Sequence, residues 1–468
     1  MGRRLHAAVR ARARRSRELP THAESVVRLV PRPDRGCPVN ALAPRGGRVG
    51  GLWLTLFGVA WLAVWTVQLT PVQLLLPLQL DTPGGPSDWI TGVIWSGLIL
   101  SIGGLAGVIA GPLAGMLSDW TTSRWGRRRP WAIGGTMLTA ASLLLTGAAS
   151  DPVGVGAAWI GVSVGIAVLS AALTAMIADQ VFAQRGTASA LVSSAQAVGI
   201  VVGVGAVVLL GLGIGASYVA LAGFILVIGV GTALILPDPQ PAVRVASAHA
   251  GAERPTWRHR LGALQDRDFG WVLASRLTVN LGNALGTALL LFFLLYGVGS
   301  PAESAEDDLL VLIVIYTIFV VVASLIAGAI SDRTGRRKSI VIIAALIQAL
   351  SAVMILVSPT FIGTAIAAAV MGVGYGAYMA VSLAFATDLL PRPEHHARDL
   401  GVVNVSASLG QLLGPLLGAG LVALVGGFWL LFLAAGVLSV LGAIMTVAVR
   451  PARAPSDPAS RSPHPAER

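Results

Sequence analysis

Four polar residues stand at helical spacing inside the seventh long apolar stretch of this chain: Arg276, Asn280, Asn283 and Thr287, at i, i+4, i+7 and i+11. A helix stacks residues so spaced on one face, which lines up a guanidinium, two amides and a hydroxyl. At a constant offset of 215 in the numbering, Arg276, Asn280 and Asn283 map onto Trp61, Trp65 and Gln68 of the first stretch. Aromatic faces beside amide donors suit noncovalent recognition of a small solute with apolar faces and hydroxyl edges. Polar groups at membrane depth are costly against lipid, which favours that reading. Arg276 has a second reading, as an interfacial residue that snorkels to water from a helix start. Trp53 and Trp89 lie near stretch ends and read as interface belts; for Trp65 and Trp95 the belt and the cavity both stay open.

Further groups fall into pairs. Gln196 and Gln411, in the fifth and eleventh stretches, are related by the same offset of 215. Tyr375 and Tyr378, among glycines 372, 374 and 376, either line a cavity through their hydroxyls or pack in a core. Asp179 and Asp388 close the fourth and tenth stretches at an offset of 209, and are followed by Arg185 and Arg398. They read either as proton-coupling carboxylates, titrating as burial and an arginine partner alternate, or as helix-end pairs with those neighbouring arginines. Asp119 and Asp332 stand one or two turns from Arg127 and Arg336, where charge-assisted hydrogen bonds to helix ends and to a neighbouring bundle would latch one conformation. Arg124, Arg128 and Arg129 have topology alone as their other reading.

Catalytic chemistry finds little support. Gly161-Val-Ser163-Val-Gly165 matches G-x-S-x-G, but that motif works at a strand-to-helix elbow with a histidine in reach. Here it falls inside an apolar stretch, and all seven histidines lie in tails or connections. No H-E-x-x-H metal motif and no G-x-x-x-x-G-K-[ST] phosphate loop occurs. No metal, cofactor or ATP-driven motor is expected, and the single cysteine, Cys37, has no partner for a disulfide.

The elements that must position these residues follow from composition. Hydrophobic residues make up 55% of the chain and charged ones 12%, about half the charge of a soluble domain. A window of about 20 residues, the length needed to cross hydrocarbon as helix, finds twelve stretches, near 53–80, 89–117, 131–149, 153–178, 188–210, 217–236, 270–297, 309–331, 339–358, 360–388, 399–424 and 428–449. They are continuously apolar, which excludes a transmembrane β-barrel. The fold class is an all-α membrane protein of twelve transmembrane helices in two six-helix bundles.

Net charge is +11, yet residues 1–50 hold twelve arginines against three acids and residues 451–468 add +1, leaving the body near neutral. No basic stripe can track a phosphate backbone, so nucleic acid is not an expected partner. Residues 1–50 read as an Arg-rich tail without a signal-peptide stretch, and 451–468 as a second tail. With the first terminus cytoplasmic, the inner connections carry sixteen Arg and Lys and the outer ones none, which puts both termini in the cytoplasm. The expectation is a monomeric, multi-pass protein of the plasma membrane.

The polar connection 237–269 separates a bundle at 51–236 from one at 270–450, and the halves repeat. Gly111 to Asp119 with Gly126-Arg127-Arg128 recurs as Ala327-Gly328-Ala-Ile-Ser331-Asp332 with Gly335-Arg336-Arg337, and Gly199 with Gly203 maps onto Gly414 with Gly418. Two like halves around a midplane site suit alternating access, whereas a channel needs a continuous lined pore. Gly107, Gly111 and Gly115, like Gly410, Gly414 and Gly418, form small-x-x-x-small rows that serve close packing or a rocking surface.

The two loops resemble the signature loops of the major facilitator superfamily, over about 400 of the 468 residues. Ser118-Asp119-Trp-Thr-Thr-Ser123-Arg124-Trp125-Gly126-Arg127-Arg128-Arg129-Pro130 is similar to the corresponding stretch of sucrose and other glycoside:cation symporters, as is Gln68-Leu-Thr-Pro71-Val-Gln73. Plant sucrose carriers place an arginine shortly before the fourth-helix acid, where this chain has Thr174-Ala-Met-Ile-Ala before Asp179. The resemblance implies secondary transport of a small-molecule solute, with proton-coupled sugar or glycoside symport as the first expectation and proton-driven export of a drug or metabolite as the alternative.

Overall fold

The computed structural model describes residues 49–81, 88–121, 123–181, 184–238, 267–389 and 396–450, with backbone alone for Ala178, Arg185, Gly186 and residues 396–407. The expected tails and most of the 237–269 connection lie outside these residues. The apolar stretches fold as helices because a helix pairs the backbone groups within the segment, where hydrocarbon offers no partner. The helices are α1 (Gly51–Leu80), α2 (Asp88–Trp120), α3 (Arg129–Ala148), α4 (Pro152–Gln180), α5 (Arg185–Leu209), α6 (Ile214–Ile235), α7 (Arg267–Ala288 continued by Leu290–Val298), α8 (Ala305–Thr334), α9 (Arg337–Val357), α10 (Phe361–Asp388), α11 (His396–Val425) and α12 (Trp429–Ala448).

Two helices depart from a plain rod. Pro71 in α1 has no N–H to donate, a common cause of local widening, and the Leu76 N–H reaches back across the widened turn to the Pro71 carbonyl. The seventh stretch, expected as one run over 270–297, bends by 48°. Leu289 there leaves the helical region (φ −117°, ψ 26°). Among the described residues the count is thus eleven unbroken spans and a twelfth that is bent.

The repeat is structural. α1 packs on α5 and α7 on α11; α3 packs on α4 and α6, as α9 does on α10 and α12. Asp151 caps α4 by accepting from Gly154 N at 2.8 Å, and its repeat mate Thr360 caps α10 by accepting from Gly363 N at 3.1 Å. Gly199 and Gly203 let α5 approach α1, where a Cβ at 203 would lie 1.8 Å from Thr70 Oγ1. Gly414 does the same for α11 on α7, where a Cβ would lie 2.4 Å from Ala284 Cβ.

The row in α2 behaves differently from the packing half of its expectation. Among the described residues, no atom of another element comes within 4 Å of a Cβ placed at Gly111 or Gly115, whereas one at Gly107 would lie 3.5 Å from the Ser163 carbonyl. Close approach of α2 uses Gly97 and Gly104 instead, against Pro415, Ala419 and Leu412 of α11. That contact and the one between α5 and α8 (Gly205 facing Leu310) join the halves. Both sit in the portions of these helices away from the signature loops, so the halves are shut together on the side opposite those loops.

Candidate functional site

The α7 stripe lies inside a polar cluster of the second half. Arg276, Asn280 and Asn283 are all buried. Arg276 Nη1 donates to Ser382 Oγ of α10 at 2.6 Å. Asn280 Nδ2 donates to the Arg276 carbonyl at 2.7 Å, and its Oδ1 faces the Tyr375 hydroxyl at 3.5 Å. Asn283 exchanges hydrogen bonds with the Tyr316 hydroxyl of α8 at 3.2–3.3 Å. The rings of Tyr316 and Tyr375 lie 6.5 Å apart and near parallel. Gln411 of α11 is within hydrogen-bonding reach of Tyr375 as well. Tyr378 is fully buried, near Ser275, Ser382 and the charge of Arg276, and its hydroxyl makes no hydrogen bond of good geometry.

Tyr316 and Ser382 were outside the sequence expectation. One tyrosine in the middle of the very apolar eighth stretch was the signal available for the first; Ser382 had none.

On α1 the aromatic residues form a ladder, one rung per helical turn. Ring centroids of Trp53 and Phe57 are 5.0 Å apart, Phe57 and Trp61 6.4 Å, and Trp61 and Trp65 6.2 Å. Trp53 is buried, and its Nε1 donates to Gln180 Oε1 at 2.9 Å, which ties it into the bundle instead of an interface belt. Trp65, the last rung, and Gln68 beyond it are half-buried, and the Trp65 Nε1 has no partner among the described residues. Gln196 on α5 is half-buried. No hydrogen bond among the described residues joins Trp65, Gln68 or Gln196 to the α7 cluster.

At the first signature loop Arg128 is the centre. It donates through Nε to Asp179 at 3.1 Å and through Nη2 to Asp119 at 2.7 Å, and Nη1 meets Ser118. Arg127 adds Asp179 at 3.1 Å and Asp119 at 3.6 Å. Asp238, just past α6, accepts from the amides of Arg128 and Arg129 at 2.7 and 2.8 Å. Arg129 reaches the carbonyls of Ala233 and Leu236, which closes α6 onto α3.

The second loop repeats the pattern at an offset of 209. Arg337 pairs with Asp388, and Lys338 donates to the carbonyls of Val447 and Val449 at the end of α12. These links add partners that the sequence reading does not name and leave one expected pair unformed. Asp179 and Asp388 pair with Arg128 and Arg337, because the α3–α4 and α9–α10 hairpins return the helix ends to one side. Arg185 and Arg398, the neighbours expected as partners, have no described side chain. Asp332 and Arg336 form no ion pair among the described residues: Gly335 turns left-handed (φ 65°), and the Arg336 amide is directed at Thr334 Oγ1. The ion pairs found between described residues each lie within one half.

The opposite side is shut by contacts between halves. Tyr296 of α7 donates to Asp81 Oδ1 at 2.7 Å. Trp89 of α2 stacks between Tyr296, centroids 4.9 Å apart, and Phe428, at 5.4 Å. Val93 packs with Phe292, Phe293 and Phe428 in one buried cluster. Trp89 thus joins the halves, where an interface belt was expected.

One side closed by contacts between the halves, signature loops on the other and a polar cluster between them suit a carrier caught in one state. The family model described as Major Facilitator Superfamily matches residues 56–305 and 277–467. The chain belongs to the major facilitator superfamily. It is a multi-span membrane protein of a transporter superfamily.

Within this superfamily, residues of the chain are 39% identical over 93 positions to a general alpha-glucoside permease of Schizosaccharomyces pombe, covering 19% of this chain and 17% of that one. They are 36% identical over 87 positions to a sucrose transport protein of Arabidopsis thaliana, covering 19% and 15%. The chain thus spans less than a fifth of the length of these relatives. A crystal structure of the nucleoside transporter NupG superposes with a TM-score of 0.67 at 16% identity, covering 85% of this chain and 99% of that one. That likeness shows the shared fold.

Proposed function

We propose that this transporter is a proton-coupled symporter of a sugar or glycoside, working by alternating access as a monomer in the plasma membrane. The carrying observation is the buried cluster of amides and hydroxyls around α7, joined to Arg276 and set within a span. Such groups are costly in a membrane unless they meet a solute or water. An alpha-glucoside permease and a sucrose transport protein among the relatives point to the same solute class. The excess of Arg and Lys in alternate connections supports a cytoplasmic placement of the signature loops and both termini. On this reading Asp179 and Asp388 are the coupling carboxylates, exchanging an arginine partner for a proton as the helix ends move.

The test is transport in proteoliposomes under an imposed pH gradient, with a panel of mono- and disaccharides. The expected result is sugar accumulation driven by protons. Asp179→Asn should lose accumulation and keep solute exchange at zero gradient. Accumulation that survives this substitution makes Asp179 structural, and a panel without any transported sugar removes the solute class.

A further inference from the structure

Arg276 is a buried cation with no counter-charge among the described side chains. It is 5% exposed, and no ion pair to it exists among the described residues. Of its three hydrogen-bonding nitrogens only Nη1 is engaged, by the neutral Ser382 hydroxyl. Nε is buried and has no partner, and no hydrogen bond from Nη2 occurs among the described residues. The acids of the second half lie near helix ends or in connections. Asp268 opens α7 two turns earlier, Asp332 and Asp388 close α8 and α10, and Glu303, Glu306, Asp307 and Asp308 stand at the start of α8 or just before it. In α11, Gly410 meets Asn280 and Gly414 meets Ala284, so Arg276 is level with about residue 406, two turns past Asp399.

A buried charge left unpaired is strongly destabilising, and a charge inside a span is expected to have a partner. Nε and Nη2 form one edge of the guanidinium, the fork that accepts the two oxygens of a carboxylate side by side. The Tyr378 hydroxyl is buried as well, close enough to the guanidinium to feel its charge and near Ser275 and Ser382, though it makes no hydrogen bond of good geometry. The cluster therefore holds surplus donors and positive charge, which a neutral hydroxyl does not balance.

We infer that the solute carries an anionic group, a carboxylate in the first instance, and that Arg276 and Tyr378 receive it. This rests on the reading of the α7 cluster as the solute site, and it narrows the solute class to acidic sugars or acidic glycosides. The amides of Asn280 and Asn283 and the hydroxyls of Tyr316 and Tyr375 are left for the neutral part of the molecule.

The experiment is equilibrium binding to the full-length protein in detergent, with glucuronate, its neutral amide glucuronamide, glucose and the non-sugar acid lactate as probes. Glucuronate is expected to bind about 10- to 100-fold more tightly than glucuronamide, the range of a charge-assisted pair. Arg276→Gln should erase that ratio and Arg276→Lys should keep part of it. The comparison of acid with amide on the unaltered protein needs no variant, and Tyr378→Phe, which keeps the charge, should lower glucuronate affinity and leave glucuronamide unchanged. Equal binding of glucuronate and glucuronamide overturns the inference and leaves the sugar reading standing. Arg276-dependent binding of lactate without binding of any sugar supports the anion and removes the sugar. Failure of all four probes removes both. Chloride that raises thermal stability through Arg276, with no preference among the probes, assigns the charge to an inorganic counter-ion and also overturns the inference.

Discussion

Arg128 Nε donates to Asp179 Oδ2 at 3.1 Å, tying the start of α3 to the end of α4. The arginine is buried and the carboxylate about one-third exposed, so the pair is screened from one side alone. Arg337 and Asp388 repeat it in the second half. Each half thus carries its own clamp on the signature-loop side, formed without a residue from the other half.

Removing the clamp should cost stability, and removing its sequence neighbour should not. Arg128→Gln loses its contacts to Asp119, Asp179 and Ser118, an expected loss of about 1–2 kcal/mol once the exposure of the carboxylates is allowed for. Arg336→Gln removes a side chain without an ion pair among the described residues and should leave the thermal midpoint in place. Unfolding curves of the two variants in the same detergent check the order; equal midpoints would count against the clamp.

Two glycines near the first loop should respond with opposite signs. Gly126 has φ 107°, and a Cβ there would lie 2.2 Å from Asp238 Oδ2. Gly126→Ala should therefore destabilise by about 1–3 kcal/mol. Gly115 is helical, and no described neighbour lies within 4 Å of an added Cβ, so Gly115→Ala should stabilise by about 0.5–1 kcal/mol through the lost chain entropy of the unfolded state. Thermal unfolding of both variants measures the signs.

The shut side should loosen when its hydrogen bond is removed. Tyr296→Phe keeps the stack on Trp89 and loses the bond to Asp81, which at this exposed site is expected to be worth about 0.5–1.5 kcal/mol. A two-state balance should then move about 2- to 10-fold towards opening on that side. Maleimide labelling of Val93→Cys, in a Cys37→Ser background, reads the change as a faster rate. An unchanged rate would mean that the aromatic stack alone holds the closure.

Substitutions on the two stripes should separate binding from folding. Gln68 is half-buried without a hydrogen bond among the described residues, so Gln68→Ala should weaken solute binding about 5- to 150-fold at nearly constant stability. Asn283 is buried and paired with Tyr316, so Asn283→Ala should lower both. Binding isotherms and unfolding curves on the same preparations distinguish these outcomes, and Gln68→Ala with intact binding would move α1 out of the site.

The spans were legible because hydrocarbon demands long apolar stretches, and the halves because loop motifs and glycines recur at fixed offsets. Interactions across helices were harder to read. Arg128 looked like one more topological charge, whereas its partners stand at the end of the preceding helix and at the end of the following one, and meet it only when two helices fold back. Applying the offset of 209 to Arg128 and Asp179 together would have exposed the pair. The bend at Leu289 has no proline to announce it. Tyr296 and Asp81 belong to different halves, so periodicity within either half carries no sign of their contact.

The links from Arg129 and Asp238 have a consequence for how the polypeptide is made. By residue 238 the end of α6 is already fastened to the start of α3, and α7 opens its own half, whose last helix is fastened by Lys338. Neither closure needs a covalent path through residues 239–266. Two separate polypeptides, one ending and the other beginning within that segment, should therefore assemble into a working carrier when expressed together. Their joint yield should fall when Asp238 is replaced by alanine, since the first fragment would then lose the acceptor for two amide hydrogens at the start of α3.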